Sequence, residues 1–418
     1  MDVNNNKYIM WIFRLFVVTL SFFSIYFSFF SQITSLSFFR YLDEVVFFLL
    51  LILLFSYYMI TVRVHIAHFI LLSFIFYSIA VSTLFGFNSS LLKVIGQTLI
   101  NLKFFILLLG FILLFKRNFK FIDRYAKIVF GFAFLGLLLH ITFGINFNQI
   151  FDIPTYARPN IRYVGFLPHP NHMAYIAVLY IGYLLSKVEV DQMKFNVNII
   201  IQILISIAIL FLADSRTSIV AVLILFIGFY WHLLKRNALI LIYVFSSFLV
   251  IILFLILFTD IFTSIIQNIS ASFTLESSYI RGNMIFLSGM IFYEFFPIGT
   301  GAASFGSVLA NDKVYEYYGQ ADRYYFSNDI GLYDSNIASI VGEYGLIGVI
   351  VYFLLFRFIY KYVKKNFNTK GKMLKYVLLV FVFYTITNPM VTNNVYILIS
   401  IPIFMKIANS NNEMNKHI

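Results

Sequence analysis

Residues 211–220, FLADSRTSIV, lie between IIIQILISIAIL at 199–210 and VAVLILFIGFYW at 220–231. The flanks read as two apolar helical spans, near 197–213 and 217–234, each close to the length that crosses a bilayer. Asp214, Ser215 and Arg216 then fall in the tight turn between two crossings, at the height of the lipid headgroups. A hairpin of this kind implies a chain whose solvent is lipid, and the rest of the sequence follows the same rule.

The chain has 418 residues, 61% hydrophobic, 20% aromatic and 11% charged, with a mean hydropathy of +0.89. A water-soluble domain cannot hide that much apolar surface. No Cys is present, which excludes disulfides and thiolate metal sites. The N-terminal stretch MDVNNNKYIMWIFRLFVVTLSFFSIYFSFF has a longer apolar run than a signal peptide and no small-residue cleavage site after it, so it reads as the first span.

Apolar runs of spanning length fall near 9–30, 45–62, 66–85, 96–115, 127–146, 172–186, 197–213, 217–234, 238–258, 337–356, 374–392 and 395–408. The fold class this predicts is an all-α polytopic membrane protein of about 12 transmembrane helices, a single multi-span domain over 1–418. Basic residues occupy alternate connections: Lys116, Arg117, Lys120, Arg124 and Lys127; Lys187 and Lys194; Lys235 and Arg236; then Arg357 through Lys375. This is the positive-inside pattern, with both termini cytoplasmic. It accounts for the formal net charge of +12 through topology, so no nucleic-acid partner is expected. Two external loops exceed a simple turn, 147–171 and 259–336. The second, between spans 9 and 10, is Tyr-rich and contains amphipathic helical segments, which argues for structure.

External cations oppose that charge rule, so each asks for a reason. Lys103 lies within a span and is expected to face protein or a cavity. Arg216 is fixed by its hairpin, either as a phosphate ligand or as an anchor paired with Asp214. Arg158 and Arg162 lie in TYARPNIRYVGFLPHPNH; Pro159 between them predicts an extended or turn-rich segment rather than a helical face. His169, Asn171 and His172 follow at the mouth of a span. Arg281 stands beside Ile280, Met284, Leu287 and Ile291, an apolar stripe at helical spacing that predicts a helix along the bilayer surface. Guanidiniums grip phosphate oxygens in forked pairs and stay charged at physiological pH. Several at headgroup level point to a lipid-linked diphosphate.

The ordered segments RYVGFLPHPNHMAYIAVL, LADSRTSIVAVLIL, IRGNMIFLSGMIFYEFFPIGTGAASFG and DSNIASIVGEYGLIGVIVYFLL resemble the O-antigen ligase and polymerase superfamily over roughly residues 158–356. The resemblance matches Ser215 and Arg216 to the family's Ser-Arg hairpin, Arg281 to its loop arginine, Pro297, Gly299 and Gly301 to Pro-x-Gly-x-Gly, and Glu343, Gly345 and Gly348 to its last motif. Ligases of this pattern carry His-Asn nine residues before the Glu, where this chain has Asp334 and Ser335; that departure favours polymerase-type members.

The resemblance implies a membrane-embedded glycosyltransferase of the bacterial cytoplasmic membrane. It would polymerise undecaprenyl-diphosphate-linked repeat units into O-antigen, capsule or exopolysaccharide at the outer membrane face. Ligase-type transfer to another acceptor is the nearest alternative, and a flippase or transporter the alternative of a different class. Implied partners are the lipid-linked donor and acceptor, membrane lipid, and a chain-length regulator with other assembly proteins. Arg216, Arg281 and Asp334 are the candidate catalytic residues, the arginines for the leaving diphosphate and Asp334 as general base or as a helix N-cap. Arg158, Arg162, His169, Asn171, Ser215, Gly299, Gly301 and Glu343 are candidate substrate-binding residues, with Glu343 either partnering a buried Arg or structural. No metal and no cofactor are expected: HPNH lacks a carboxylate cluster, and no Walker-type loop is present.

Overall fold

The computed structural model describes residues 3–61, 66–116 without 86 and 89, 118–190 without 159, 195–236, 280–367 without 329 and 330, and 372–414, with 246, 266, 267 and 270 as isolated positions. The expected span at 238–258 lies outside the described residues. Helices dominate: α1 (Val3–Ile25), α2 (Phe27–Thr34), α3 (Leu42–Thr61), α4 (Ile66–Phe85), α5 (Leu91–Phe115), α6 (Phe119–Phe143), α7 (Ile145–Ile150), α8 (Pro170–Val190), α9 (Val197–Leu212) and α10 (Arg216–Arg236). After the gap come α11 (Ile280–Glu294), α12 (Lys313–Tyr317), α13 (Tyr324–Ser327), α14 (Asn336–Asn366), α15 (Met373–Tyr384) and α16 (Asn394–Met414). A two-residue strand pair, β1 (Ala157–Arg158) and β2 (Asn160–Ile161), joins Ala157 to Ile161 and Arg158 to Asn160, the extended geometry expected around Pro159.

Tyr8–Ile25, Leu91–Phe115, Phe119–Phe143 and Asn336–Asn366 are long and apolar enough to cross a membrane, and five shorter apolar helices accompany them. The centre is α5, apolar on every side, with all of 101–115 except Leu113 buried; a helix of that kind belongs inside a bundle. The other central helix, α8, packs against α9, α10, α15 and α16.

Three expected boundaries change. The first span is divided into α1 and α2 at Tyr26, whose backbone leaves helical geometry (φ −104°, ψ 25°) and whose buried hydroxyl donates to the Val129 carbonyl at 2.5 Å. The run 374–392 is not one helix: α15 stops at Tyr384, and residues 385–393 form turns that dock on the start of α14, with Ile337 N donating to Thr385 O and Val391 N to Asn336 Oδ1. The stripe of α11 does not lie on the bilayer surface. Met284, Leu287 and Ile291 are buried and form a second core with Phe305, Tyr315 and Phe326. Protein covers that face because α11 packs along α14.

Lys103 finds the enclosed setting expected of an intraspan cation. Its ammonium meets Asp43 Oδ2 at 2.5 Å, with both side chains under a tenth exposed, and the pair ties α5 to α3. Deleting one partner of a buried pair strands a charge, at a cost of about 3–5 kcal/mol, whereas apolar replacement of both avoids that penalty. Lys103→Met alone should therefore lower the midpoint of thermal unfolding in detergent sharply. The double variant Lys103→Met with Asp43→Leu should recover most of the loss; a double variant no more stable than the single one would contradict the pairing.

Candidate functional site

The polar residues of the sequence motifs collect where α8, α10 and α16 begin. In the 162–172 segment, Arg162 is buried and spreads its guanidinium over three acceptors: Nε donates to Ala213 O at 2.9 Å, and Nη2 to Asn171 Oδ1 at 3.1 Å and Asp214 O at 3.2 Å. Arg162 thus pins the 211–216 turn to the start of α8. Asp214 adopts φ +44°, a left-handed turn that Asp tolerates better than most residues, and this presents its carbonyl to Arg162. Among the described residues, no ion pair or hydrogen bond joins the Asp214 carboxylate to Arg216; the expected anchor pair is absent.

Arg216 is the first residue of α10. Its Nε is buried without a hydrogen-bond partner, a costly state for a charged donor. Ser215 is buried and bonds Ser218 Oγ at 2.6 Å, while Ser218 also receives Tyr384 OH. Ser215 therefore shapes the hairpin. Thr217 meets Thr387 at 3.2 Å, which docks the start of α10 on the turn after α15.

That turn supplies residues the motif reading missed. Asn388 Oδ1 accepts from Asn171 Nδ2 and from Tyr396 OH, both at 3.1 Å. Through Asn388, Tyr396 is linked to Asn171 and so to Arg162. His172 is buried with Nδ1 unpartnered, its ring 4.5 Å from that of Tyr396. His169 Nδ1 accepts the Asn171 amide at 3.1 Å, and its ring lies 4.9 Å from Tyr156. Burial pushes the Tyr156 phenol above its usual range against the opposing pull of Arg162. The Arg158 side chain lies outside the described residues. The signal for the missed segment was the polar cluster TITNPMVTNNVY at 385–396, interrupting an apolar run.

Arg281 and Asp334 meet directly. Arg281 Nε and Nη2 both donate to Asp334 Oδ2, at 2.9 and 2.7 Å, with the two side chains only partly exposed. Asp334 is not the N-cap of α14; Ser335 Oγ takes that role, accepting from Ala338 N at 3.3 Å. The sequence allows either residue, but Arg281 holds the carboxylate away from the helix end.

The Pro-x-Gly-x-Gly and Glu-x-Gly motifs form one unit beside this end. Gly345 has φ +57° and kinks α14, so the carbonyls just before it need donors from elsewhere. Thr300 N bonds Gly342 O, Gly301 N bonds Glu343 O, and Tyr77 OH bonds Tyr344 O. A Cβ on Gly345 would stand 2.4 Å from Pro297 O, and one on Gly299 2.7 Å from Glu343 O. Chain packing alone therefore requires glycine at 299 and at 301, where an added Cβ would meet Ser82 Cα at 2.6 Å. Glu343 itself has no solvent exposure. Its Oε1 accepts from Ser304 N, Phe305 N and Ser307 Oγ, and Oε2 from Asn101 Nδ2. Its partners are amides and a hydroxyl; no arginine pairs with it among the described residues, so of the two expectations for Glu343 the structural one fits.

An apolar groove of about 460 Å³ between α14 and α15 begins at Ile337, Thr385 and Val391, beside this cluster, and runs to Arg357 and Lys375 at the other end.

Removing the Glu343 carboxylate leaves Ser304 N, Phe305 N and Ser307 Oγ unsatisfied, at about 1–3 kcal/mol each, while Asn101 Nδ2 keeps its bond to Tyr344 OH. Glu343→Ala should loosen residues 299–307, seen as faster amide exchange there, and lower the unfolding midpoint. Unchanged exchange across 299–307 would show that the carboxylate does not hold the loop.

No curated protein matches the chain. Residues 201–353 match the model of a family described as O-antigen ligase. The match takes in Arg216, Arg281, Asp334 and Glu343, while Arg162, Asn171 and Tyr396 lie outside it. That segment is about a third of the chain, and over it the chain is similar to the O-antigen ligase family.

Proposed function

We propose that this multi-pass membrane protein is a polysaccharide polymerase of the bacterial cytoplasmic membrane, moving a growing glycan from one undecaprenyl diphosphate to the next lipid-linked repeat unit. The observation that carries the reading is the Arg216 guanidinium, whose buried Nε has no hydrogen-bond partner, on the turn that Arg162 holds. A fixed cation with a vacant donor suits an oxyanion, here the leaving diphosphate. The groove that opens at Ile337, Thr385 and Val391 offers an apolar track for a prenyl chain.

In this reading an acceptor hydroxyl attacks the anomeric carbon, a new glycosidic bond forms, and the bond to the diphosphate breaks with its electron pair leaving on phosphate oxygen. Arg216 stabilises that oxygen. The hydroxyl proton passes to Asp334, whose Oδ2 is held by Arg281, so Arg281 is a positioning residue rather than a second diphosphate ligand. His169 and Asn171 border the same space and bind the saccharide. The topology proposed places both termini and the basic connections in the cytoplasm and the Arg216 end outside.

The same geometry serves ligation, which the description of the matched family favours. Purified protein given a synthetic lipid-diphosphate repeat unit separates the two. Polymerisation yields a ladder of longer lipid-linked glycans; product only on a different acceptor would make the protein a ligase. Flipping in vesicles without any transfer would instead indicate a transporter.

Arg216→Ala should abolish the ladder in a normally inserted protein, a loss of about 3 kcal/mol of barrier stabilisation or more; full activity would refute the diphosphate role. Arg281→Lys should also impair growth, because Lys cannot make the two-bond fork to Asp334. Asp214→Asn should retain activity, since only its carbonyl is engaged and Asn also tolerates positive φ. A reporter fused after residue 120 or 366 should read cytoplasmic and one after 310 external; the reverse at 366 would overturn the topology.

A further inference from the structure

A second groove, of about 510 Å³, lies between α6, α8 and α9. Its walls are apolar, including Phe130, Phe134, Ile176, Ile205 and Ile209, but one end carries Lys127, Lys187 and Lys406. These lysines come from the early part of α6, the end of α8 and the later part of α16, whereas Asn171, His172 and Tyr396 lie at the opposite ends of α8 and α16. The groove is therefore separate from the proposed transfer site.

Among the described residues, the charge at this end is unbalanced. Asp123 is the carboxylate that answers it: Oδ1 meets Lys406 Nζ at 2.6 Å and Oδ2 meets Lys127 Nζ at 2.7 Å. Lys187 has no carboxylate partner among the described residues; its ammonium lies over the Tyr183 ring at 4.8 Å, and Lys406 lies over the same ring at 4.3 Å. Lys127 and Lys187 both repel the Lys406 charge. Glu189, two residues beyond Lys187, is engaged elsewhere, accepting from the amides of Lys372 and Met373. Among the described residues, three ammonium groups thus share one carboxylate at the mouth of an apolar channel.

We propose that this groove binds one anionic glycerophospholipid, its phosphate bridging Lys127, Lys187 and Lys406 and its acyl chains lying along α6, α8 and α9. A headgroup phosphate supplies the missing negative charge, and the apolar walls take the tails, which a soluble anion lacks. Gly131 leaves a gap in the wall: a Cβ built there has no atom within 4 Å. The site is independent of the glycosyl-transfer reading.

Native mass spectrometry of the full chain in detergent tests this, with phosphatidylglycerol, phosphatidylcholine and inorganic phosphate as probes. Phosphatidylglycerol should be retained more tightly than phosphatidylcholine by roughly tenfold or more, the scale of two lysines acting on one headgroup. Lys127→Gln with Lys187→Gln should remove that preference, and these exposed positions leave the Lys406–Asp123 pair intact. Gly131→Phe, at a position where an added Cβ meets no atom within 4 Å, should weaken phosphatidylglycerol binding by occupying the channel. Equal retention of the two lipids overturns the proposal, as does binding unaffected by either variant. Displacement by inorganic phosphate, with binding indifferent to Gly131→Phe, would show a phosphate site without a lipid and also overturn it.

Discussion

A carboxylate sealed from water must be answered by donors, and Glu343 sets the architecture of the 299–345 region through that requirement. Its donors come from the 304–307 loop and from Asn101 on the central helix α5. The kink at Gly345 adds a second demand, because helix carbonyls left without amides at membrane depth need partners within the protein. Residues 300–307 meet most of both demands, and Asn101 and Tyr77 complete them. Side chain and backbone of residues 342–344 thus hold the Pro-x-Gly-x-Gly segment against α14.

The consequence reaches the other end of that segment. With the loop fixed to α14 and α11 packed along it, Arg281 at the start of α11 faces Asp334 just before α14. The turn after α15 completes the enclosure, since Asn336 accepts Val391 N and Thr392 lies 3.2 Å from its amide nitrogen. A glycine and a buried glutamate that never reach the polar cluster therefore determine where an arginine–carboxylate pair sits.

Much of this was legible in the sequence because lipid imposes simple rules. Apolar length marks helices, and the described helices α3, α4, α9 and α10 begin and end within a few residues of the expected runs. Lys103 was legible as enclosed because hydrocarbon leaves an ammonium few alternatives. The turn 385–393 was not: polar residues do break its apolar run, but the hydrogen bonds that fix it go to the distant Asn336. The α11 stripe failed for a related reason: periodicity identifies an apolar face, and both lipid and another helix satisfy it. For Glu343, Gly299 and Gly301 the motif was found but its use was not. Recurrent glycine and glutamate in a motif signal a constraint, and only the contacts tell whether that constraint lies in chemistry or in packing.

The three described guanidiniums of the cluster differ in how much of their hydrogen-bonding capacity the fold consumes. Arg162 spends its Nε and Nη2 on the 211–216 turn and Asn171, which makes it a fastener. Arg281 is committed to Asp334. Arg216 keeps a buried Nε with no acceptor, although the Asp214 carboxylate two residues away would have been the nearest remedy in sequence. The left-handed turn at Asp214 directs its carbonyl to Arg162, so the fold uses the backbone of that residue and leaves Arg216 unneutralised. An unsatisfied buried donor costs stability unless a ligand supplies the acceptor. The hairpin that first identified the chain as a membrane protein is thus also the place where the protein retains an unmet demand for an anion.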